Sequence, residues 1–463
     1  MGVKKGEIIE VVVSDMAFGG RGLAKVDGMA VFIDGAVAGD TVKARVFKKK
    51  KSFAEARVVE IVEPSEHRVE PRCEYASWCG GCKWQFLDYH KQLEYKRNHV
   101  VESLSHIGDI KGVTVHPTLP SKHTFGYRNK MEFSCSESRW LLPSELANPD
   151  IEKGMGIGLH VPGTFSKVID IKACHIQPEL GNALLDFVRQ YIKESGEAVY
   201  GLKSHEGFWR FVMLRHSYHE DRWMVNLVTA QDKPEVVQPL ADALMKEFPQ
   251  VASVVNNVTS RKAGIAVGEF EKVLAGEPHI TDRLGEYTFH ISANSFFQTN
   301  TPGAEALYTK VEEYAGLTGV ERVLDLYSGT GTIPIWLSKG AKEITGLEIV
   351  PSATENAAEN CRRNGVDNCR FVLGDVRHEL PDVDVEPDVM IIDPPRAGMH
   401  KEVVERVAEL RPERIVYVSC NPATLARDLA MLKTHYEICE VQPVDMFPHT
   451  FHIEAVARLE RRA

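Results

Sequence analysis

The fold is decided by residues 323–332, which read VLDLYSGTGT and join a strand-like run to a loop with two glycines. Glycines in such a loop let the backbone approach a bound ligand closely. Downstream, apolar runs such as residues 344–348 and 415–418 alternate with helical stretches such as residues 352–364. This alternation predicts an α/β fold built on a doubly wound parallel sheet that is buried on both faces.

Acidic residues follow the second and third predicted strands of this sheet. Pro334 stands where a dinucleotide-binding loop has its third glycine, so the loop does not match that fingerprint. Glu348, 19 residues after Gly329, is placed to accept hydrogen bonds from both hydroxyls of a ribose, and Asp375 is placed to meet an adenine ring. The pattern predicts S-adenosylmethionine, an adenosine ligand without phosphates; NAD, or carboxylates that only cap helices, are the alternatives.

A cysteine follows the fifth predicted strand, in the sequence VSCNP at residues 418–422. The carboxyl end of a parallel strand faces the ligand crevice, and the turn at Asn421 and Pro422 is expected to expose Cys420; a buried structural cysteine is the alternative. A thiolate that adds to carbon 6 of a pyrimidine places electron density on carbon 5, which then attacks the sulfonium methyl group. Cys420 is therefore the candidate nucleophile of a pyrimidine carbon-5 methyltransferase.

Such a reaction also needs a base to remove the hydrogen from carbon 5. His452 and Glu454 lie in the sequence HTFHIEAV at residues 449–456, and a carboxylate in a strand-like stretch is costly to bury without a purpose. The sequence favours Glu454 and leaves His452 open. Asp393 begins the sequence DPPR, in which Arg396 replaces the aromatic residue of amino-group methyltransferases and so disfavours methylation of an exocyclic amine.

Three of the nine cysteines have the spacing of a metal centre. Cys73, Cys79 and Cys82 form a Cys-x5-Cys-Gly-Gly-Cys motif, and Cys174 lies far downstream. The paired glycines allow a tight loop that directs thiolates at one centre, but the spacing leaves zinc and an iron–sulfur cluster equally open. The cysteines without partners at ligand spacing are interpreted as structural: Cys135, Cys361, Cys369 and Cys439.

Length and patterning divide the chain into three parts. At roughly 150 residues per domain, 463 residues suggest about three domains. Residues 1–62 predict an OB-like barrel of five short strands, with a hairpin turn at Asp27 and Gly28. Residues 63–285 predict a central α+β domain, and residues 286–463 predict the α/β domain that carries the glycine loop.

The formal net charge of −10 by itself disfavours binding to nucleic acid. Residues 1–60, however, carry eleven basic and eight acidic side chains, and the lysines at residues 48–51 lie between Phe47 and Phe53. Lysines attract phosphates and aromatic rings stack on bases, so this segment is the candidate RNA-binding part; a solvated lysine turn is the alternative. No apolar run is long enough for a transmembrane helix, and no secretory signal is present, which predicts a cytoplasmic protein.

Together these motifs resemble one family, the iron–sulfur-containing RNA uridine carbon-5 methyltransferases, and most of all the bacterial 23S rRNA enzymes. The resemblance covers essentially the whole chain, and the N-terminal segment is similar to a TRAM domain, an OB-like RNA-binding barrel. The cysteine motif with Cys174 matches the ligands of that family's [4Fe-4S] cluster. Residues 419–422 and 452–454 match its nucleophile and base motifs.

The resemblance implies an enzyme that uses S-adenosylmethionine to make 5-methyluridine through a covalent adduct of Cys420, with Glu454 rather than His452 as the base. It implies a [4Fe-4S] cluster in place of zinc. We expect a monomer whose partner is RNA and not a membrane. The methyl-donor contacts that the resemblance implies are Gln298, Tyr327, Thr332, Glu348, Asp375 and Asp393.

Three alternatives remain at the level of the sequence. The first is a tRNA uridine methyltransferase, because the preference for 23S rRNA rests on family analogy. The second is a cytosine carbon-5 methyltransferase, although such enzymes carry the cysteine in a Pro-Cys or Thr-Cys setting, unlike Ser419-Cys420 here. The third is a non-catalytic RNA chaperone or ribosome assembly factor, against which the intact Cys420 and Glu454 argue.

Overall fold

The N-terminal segment forms a sheet of its own in the computed structural model, which describes residues 3–151, 153–262, 264–380, 383 and 385–463. Its six strands are β1 (Ile8–Val12), β2 (Asp15–Ala17), β3 (Arg21–Val26), β4 (Met29–Asp34), β5 (Thr41–Lys49) and β6 (Phe53–Glu63). They lie in the order β1-β5-β6-β4-β3-β2 around an apolar core that contains Val31 and Ile33.

The turn between β3 and β4 is the predicted hairpin. Asp27 (φ 48°) and Gly28 (φ 80°) both have positive φ, and Val26 pairs with Met29 across them, as a tight primed turn requires. The predicted number of five strands is wrong, because the segment has six. The shortest, β2, has only three residues and therefore gives too little alternation to be recognised from the sequence.

The middle of the chain forms a seven-stranded sheet. Helix α1 (Tyr89–His106) and strand β7 (Thr114–Val115) precede it, and β7 belongs to a different sheet. Its elements are β8 (Lys130–Ser136), β9 (Gly156–His160), β10 (Val168–Asp170), α2 (Leu180–Glu194), β11 (Trp209–His216), β12 (Trp223–Thr229), α3 (Pro234–Glu247), β13 (Val251–Val258) and β14 (Phe270–Gly276). The strand order is β10-β9-β8-β11-β12-β13-β14. Helices α2 and α3 bury Leu184 and Leu240 in one apolar core with this sheet.

The C-terminal part begins with the hairpin β15 (His279–Leu284) and β16 (Tyr287–Ser292) and helix α4 (Thr301–Ala315). It continues with β17 (Arg322–Leu326), α5 (Thr332–Leu337), β18 (Glu343–Glu348), α6 (Pro351–Arg363), β19 (Cys369–Leu373), α7 (Val376–Glu379), β20 (Val389–Ile392), α8 (Lys401–Leu410), β21 (Arg414–Ser419), α9 (Pro422–Leu432), β22 (Tyr436–Val444) and β23 (Glu454–Arg461). The eight-stranded sheet has the order β19-β18-β17-β20-β21-β23-β22-β7.

The predicted parallel sheet is confirmed for five strands, β17 to β21, and is wrong at the C-terminal end. Strand β23 runs antiparallel to both of its neighbours, β21 and β22. The physical reason is the connection: no crossover helix separates β22 from β23, and neighbouring strands joined directly run antiparallel. This departure places the start of β23 beside the end of β21.

An early segment of the chain completes this late sheet. Strand β7 pairs with β22, with Thr114 opposite Glu440, and helix α1 packs against α9. Val100 and Leu104 of α1 lie in the same apolar core as Leu425. No described helix is long and apolar enough to cross a membrane.

Candidate active site

The predicted nucleophile and base come from two adjacent strands. Cys420 directly follows β21, and Glu454 is the first residue of β23. Ser419 pairs with Ala455, so one step further along the same antiparallel register places Cys420 opposite Glu454, with both side chains on one face. Asn421 caps helix α9 by accepting a hydrogen bond from the Ala423 amide at 3.1 Å, which ends the strand abruptly at the cysteine.

Burial and like charges hold protons on this site. Glu454 is only 9% exposed, and burial, reinforced by Asp393, raises its pKa well above the usual range. Burial, followed by the charges of Glu454 and Asp393, raises the pKa of the Cys420 thiol to about 11, while Arg396 opposes the shift. Burial alone raises the pKa of Asp393 to about 7. The thiol is therefore almost fully protonated at neutral pH in the free protein.

The Glu454→Gln variant is expected to make Cys420 more acidic. The carboxylate is ionised at the alkaline pH where the thiol titrates, so its removal takes away a negative charge that raises the pKa of Cys420. The alkylation rate of Cys420 by iodoacetamide, followed peptide by peptide with mass spectrometry, should rise at a lower pH in the variant. Cys439, half-buried on β22, is the internal control, and the pH dependence of its alkylation should not change. If the pH dependence of Cys420 alkylation does not shift in the variant, Glu454 does not lie next to Cys420.

The rival base, His452, lies in an apolar and electropositive setting. Its ring lies 4.4 Å from the Phe451 ring, measured between centroids, and 6.1 Å from that of Phe447. Burial, with the charges of Arg396 and Lys96, lowers its pKa to about 4. An imidazole of this pKa is a weak proton acceptor at neutral pH, so the electrostatics favour Glu454 as the base.

A buried ion pair fixes the loop that leads into Glu454. Lys96 of helix α1, with no exposed surface, donates from Nζ to Oδ1 of Asp445 at 2.6 Å and to the Phe447 carbonyl oxygen at 3.0 Å. The Tyr89 hydroxyl donates to the other oxygen of Asp445 at 2.8 Å. Helix α1 therefore holds the loop that precedes Glu454, although Lys96 and Asp445 are 349 residues apart in the sequence. The sequence reasoning missed this lysine, because a single lysine on a helix has no recognisable pattern.

The glycine loop lies at the carboxyl ends of β17 and β18, the edge where an open parallel sheet has its ligand crevice. Tyr327 (φ 67°) and Gly331 (φ 77°) hold the left-handed conformation, and a Cβ at Gly331 would approach the ring of Phe371 to 2.9 Å. Gly329 faces open space, with nothing within 4 Å of the position that a Cβ would occupy. Its amide donates at 2.9 Å to Glu348, whose second carboxylate oxygen accepts from the Val350 amide at 2.8 Å.

Asp325, in the middle of β17, is the clearest sign of a missing polar ligand. It is 1% exposed, and neither carboxylate oxygen has a hydrogen-bond partner among the described residues. Burial, with the nearby charges of Asp393 and Glu348, raises its pKa well above the usual range. A buried acceptor without a partner fits a ligand that carries a positive charge or hydrogen-bond donors, as S-adenosylmethionine does. The sequence reasoning missed Asp325, and the signal was an acid inside an apolar strand.

The remaining predicted methyl-donor contacts divide into two groups. Tyr308 of α4 brings two of them together, since its hydroxyl lies 2.9 Å from Oγ1 of Thr332 and also hydrogen-bonds with Gln298. Asp375 instead caps α7 by accepting from the Arg377 amide at 2.9 Å and forms an ion pair with the Arg377 guanidinium, which lowers its pKa to about 2. In this structure Asp375 therefore caps a helix, which was the alternative to a contact with the methyl donor.

The four predicted metal ligands line one small cavity, of about 20 Å³. Three of the thiols are buried, and burial raises the pKa of Cys79 to about 12 and that of Cys174 to about 11. The Gly81 amide donates to Sγ of Cys79 at 3.3 Å, and Gln85 hydrogen-bonds to Cys82. Among the described residues, however, no set of three or more histidine, cysteine, aspartate or glutamate side chains has an arrangement that could hold a metal ion. The structure thus brings the cysteines together without showing a cluster.

Comparisons with known proteins identify this α/β fold as that of an S-adenosylmethionine-dependent methyltransferase. Residues 241–462 match the tRNA (Uracil-5-)-methyltransferase family, and residues 2–59 match the TRAM domain. An uncharacterized RNA methyltransferase of Chlorobaculum tepidum is 42% identical over 99% of this chain and 97% of its own length. One of Porphyromonas gingivalis is 40% identical over 97% of this chain and 99% of its own length.

A solved structure supports the same assignment over nearly the whole chain. The crystal structure of the Pyrococcus abyssi tRNA (uracil-54, C5)-methyltransferase in complex with S-adenosyl-L-homocysteine is 31% identical, with a TM-score of 0.75. The match covers 97% of this chain and 100% of the Pyrococcus abyssi chain. The chain belongs to the family of S-adenosylmethionine-dependent RNA uracil-C5 methyltransferases, and its N-terminal sheet is a TRAM domain. The expected enzyme class and the expected TRAM domain are thereby confirmed.

Proposed function

We propose that this protein methylates carbon 5 of a uridine in 23S rRNA, through a covalent adduct between Cys420 and carbon 6 of the base. The observation that supports the proposal is the antiparallel register of β21 and β23, which ends with Ser419 opposite Ala455 and, extended by one residue, brings Cys420 next to Glu454. In the proposed arrangement, Cys420 and Glu454 share one face of the sheet, near the glycine loop. A target uridine must leave its stack to reach them, at a cost of a few kcal/mol that is smallest in a loop.

The reaction requires three events at these residues. The Cys420 thiol gives its proton to water, and the thiolate forms a bond to carbon 6 while the electron pair of the double bond moves toward carbon 5. S-adenosylmethionine supplies the methyl group to carbon 5. Glu454 then removes the remaining hydrogen of carbon 5 as a proton, the double bond re-forms, and the carbon–sulfur bond breaks to release the thiolate. Glu454 must be ionised before this step, and its raised pKa then makes the carboxylate a stronger base than that of an exposed glutamate.

We propose that the methyl donor binds in the crevice beside β17 and β18. Glu348 is the ribose contact, and Asp325 adds a buried acceptor to the predicted set. Asp393 borders both the crevice and the nucleophile, since its charge acts on Asp325 and on Cys420. The other proposed contacts remain those of the sequence: Gln298, Tyr327, Thr332 and Asp375.

A tRNA uridine is the second candidate substrate. The observation that favours it is the Pyrococcus abyssi tRNA (uracil-54, C5)-methyltransferase, which matches this chain over 97% of its length. Mapping 5-methyluridine in rRNA and tRNA from a strain that lacks the gene separates the two. We expect one uridine of 23S rRNA to lose its methyl group and to regain it on complementation. Loss in tRNA alone would favour the second candidate, and unchanged RNA would overturn the proposal.

We also propose that Cys73, Cys79, Cys82 and Cys174 hold a [4Fe-4S] cluster. Buried thiols that receive hydrogen bonds at sulfur fit the thiolate ligands of such a cluster. Bound to the protein, the cluster would supply four fixed thiolate bonds that tie the cysteine loop to residue 174. An organising role fits better than a redox role, because the methyl transfer moves no net electrons.

Protein purified without oxygen is expected to be brown and to contain about four iron atoms per chain, the composition of a [4Fe-4S] cluster. The Cys174→Ser variant should lose most of this iron, whereas Cys439→Ser, at a half-buried cysteine on β22, should keep it. Iron analysis and the visible absorption spectrum measure both. Colourless protein with one zinc ion per chain would overturn the cluster assignment.

The organisation of the chain completes the proposal. We retain residues 1–62, 63–285 and 286–463 as three domains, with the addition that residues 89–115 pack on the sheet of the third. None of the nine cysteines, all of which the structure describes, forms a disulfide, which suits a reducing compartment, and we propose a cytoplasmic monomer. Light scattering of the purified protein measures the oligomeric state.

A further inference from the structure

A cleft of about 640 Å³ lies on the central seven-stranded sheet, separate from the proposed active site. It has no assigned role, and we name it the basic cleft. Strands β9 and β11 contribute to its floor, and the loops after β9, before β11 and after β13 form its walls. The residues that define it chemically are His160, Phe165, Lys203, His205, Phe211 and Lys262.

The charge of the basic cleft is unbalanced. Lys203 and Lys262 both line it, and no carboxylate of a described residue lies within ion-pair distance of either; no aspartate or glutamate of the described residues lines the cleft. Two lysines without partners at one concave site form a local attraction for an anion.

The cleft also offers an aromatic surface. Phe165 is 71% exposed, which is unusual for a phenylalanine in a folded protein, while Phe211 is buried below it. His160 contacts Oγ of Ser134 through Nε2 at 2.8 Å, and its Nδ1 is buried without a hydrogen-bond partner among the described residues. An exposed aromatic ring together with lysines is the combination of side chains that binds an unpaired base and its phosphates.

The cleft is connected to the proposed active site through the cysteine loop. The Gly80 amide donates to the carbonyl oxygen of His160 at 2.9 Å. At the other end of that loop, the amides of Lys83 and Trp84 both donate at 2.9 Å to the carbonyl oxygen of His449, in the loop that leads to Glu454. The cysteine loop therefore hydrogen-bonds both to a residue of the cleft and to the loop that precedes Glu454.

We propose that the basic cleft binds an unpaired nucleotide of the substrate RNA, with the base stacked on Phe165 and flanking phosphates contacted by Lys203 and Lys262. It is a second RNA-recognition site that acts before and during methylation and selects RNA with a single-stranded segment at a fixed distance from the target. The proposal rests on the proposed function, because it takes RNA as the substrate.

The first test measures binding of a fluorescein-labelled, single-stranded oligouridine of twelve nucleotides to the full-length protein by fluorescence anisotropy. Phe165→Ala should weaken binding about tenfold, the scale of one lost base–aromatic stack. The double variant Lys203→Ala/Lys262→Ala should weaken binding and reduce the slope of log Kd against log salt by about 1.4, for two lost phosphate contacts. Lys339→Ala/Lys401→Ala, at exposed lysines, makes the same change in net charge and should leave the slope unchanged.

The second test measures methyl transfer from labelled S-adenosylmethionine to total RNA from a strain that lacks the gene. The cleft variants should raise KM and keep kcat, because the chemical groups are intact. If both cleft variants bind the oligouridine as the wild type does and keep its KM, the proposal that the cleft binds RNA is overturned. That result would point to another occupant, such as an acidic protein. Absence of methyl transfer by the wild type would instead overturn the proposed function, while the oligouridine measurement would still report on the cleft.

Discussion

The Cys420→Ala variant is expected to lose all methylation and to form no covalent adduct with RNA. Without the thiolate, carbon 5 of uracil has too little electron density to attack a sulfonium methyl group, so turnover should fall by more than about 10⁴-fold. The measurement is transfer of labelled methyl groups, together with denaturing electrophoresis after incubation with RNA that contains 5-fluorouridine. A base cannot remove fluorine from carbon 5 as it removes a proton, so wild-type protein should migrate as a stable protein–RNA adduct.

The matched control for this experiment is Cys439→Ala. Cys439 is a half-buried cysteine of the same sheet, on β22, and has no proposed role in the chemistry. It should retain wild-type turnover and adduct formation, which separates loss of a nucleophile from general damage to a thiol-containing sheet. Methylation by Cys420→Ala at more than a trace level would exclude the covalent mechanism.

The Glu454→Gln variant is expected to trap the methylated intermediate. Addition of Cys420 and methyl transfer do not need the carboxylate, but elimination does, so turnover should fall by about 10²–10⁴-fold while a covalent adduct accumulates on ordinary uridine RNA. Mass spectrometry of the nuclease-digested complex should show Cys420 joined to a nucleotide that already carries the added methyl group.

The rival base supplies the control for the trapping experiment. His452→Gln removes an imidazole of low pKa in the same loop and should keep most of the turnover, without accumulating an adduct. Accumulation of the methylated adduct in His452→Gln, with normal turnover in Glu454→Gln, would reverse the two roles. Free RNA alone in Glu454→Gln would show that addition itself requires the carboxylate.

Local patterns predicted much of the fold because they depend on neighbours in sequence. The apolar strands and the helices between them follow from alternation and periodicity, and the Asp27-Gly28 turn follows from its need for positive φ. The C-terminal reversal of β23 and the insertion of β7 at the sheet edge were not predictable in this way. Both depend on which strands meet in space, and a two-residue strand such as β7 has no period.

The candidate site divides along the same line. Cys420 and Glu454 were recognisable because their local settings contradict ordinary packing, and Glu348 because it ends a strand at a known spacing. Lys96 was not recognisable, since its partner Asp445 is distant in sequence and only the tertiary fold reveals the buried pair. Asp325 lay in the stretch that decided the fold, but only the structure shows that its carboxylate is buried without a hydrogen-bond partner among the described residues.

The pairing of β7 with β22 has a consequence for synthesis on the ribosome. Thr114 emerges 326 positions before its partner Glu440. At roughly 5–20 residues per second, the early helix and strand wait about 16 to 65 s before the last strands exist to cover them. During that interval the apolar face of α1 lacks its final partner, so we expect the nascent chain to need a chaperone that holds it. Pulse-labelled chains should be most sensitive to protease within residues 89–115 until translation ends.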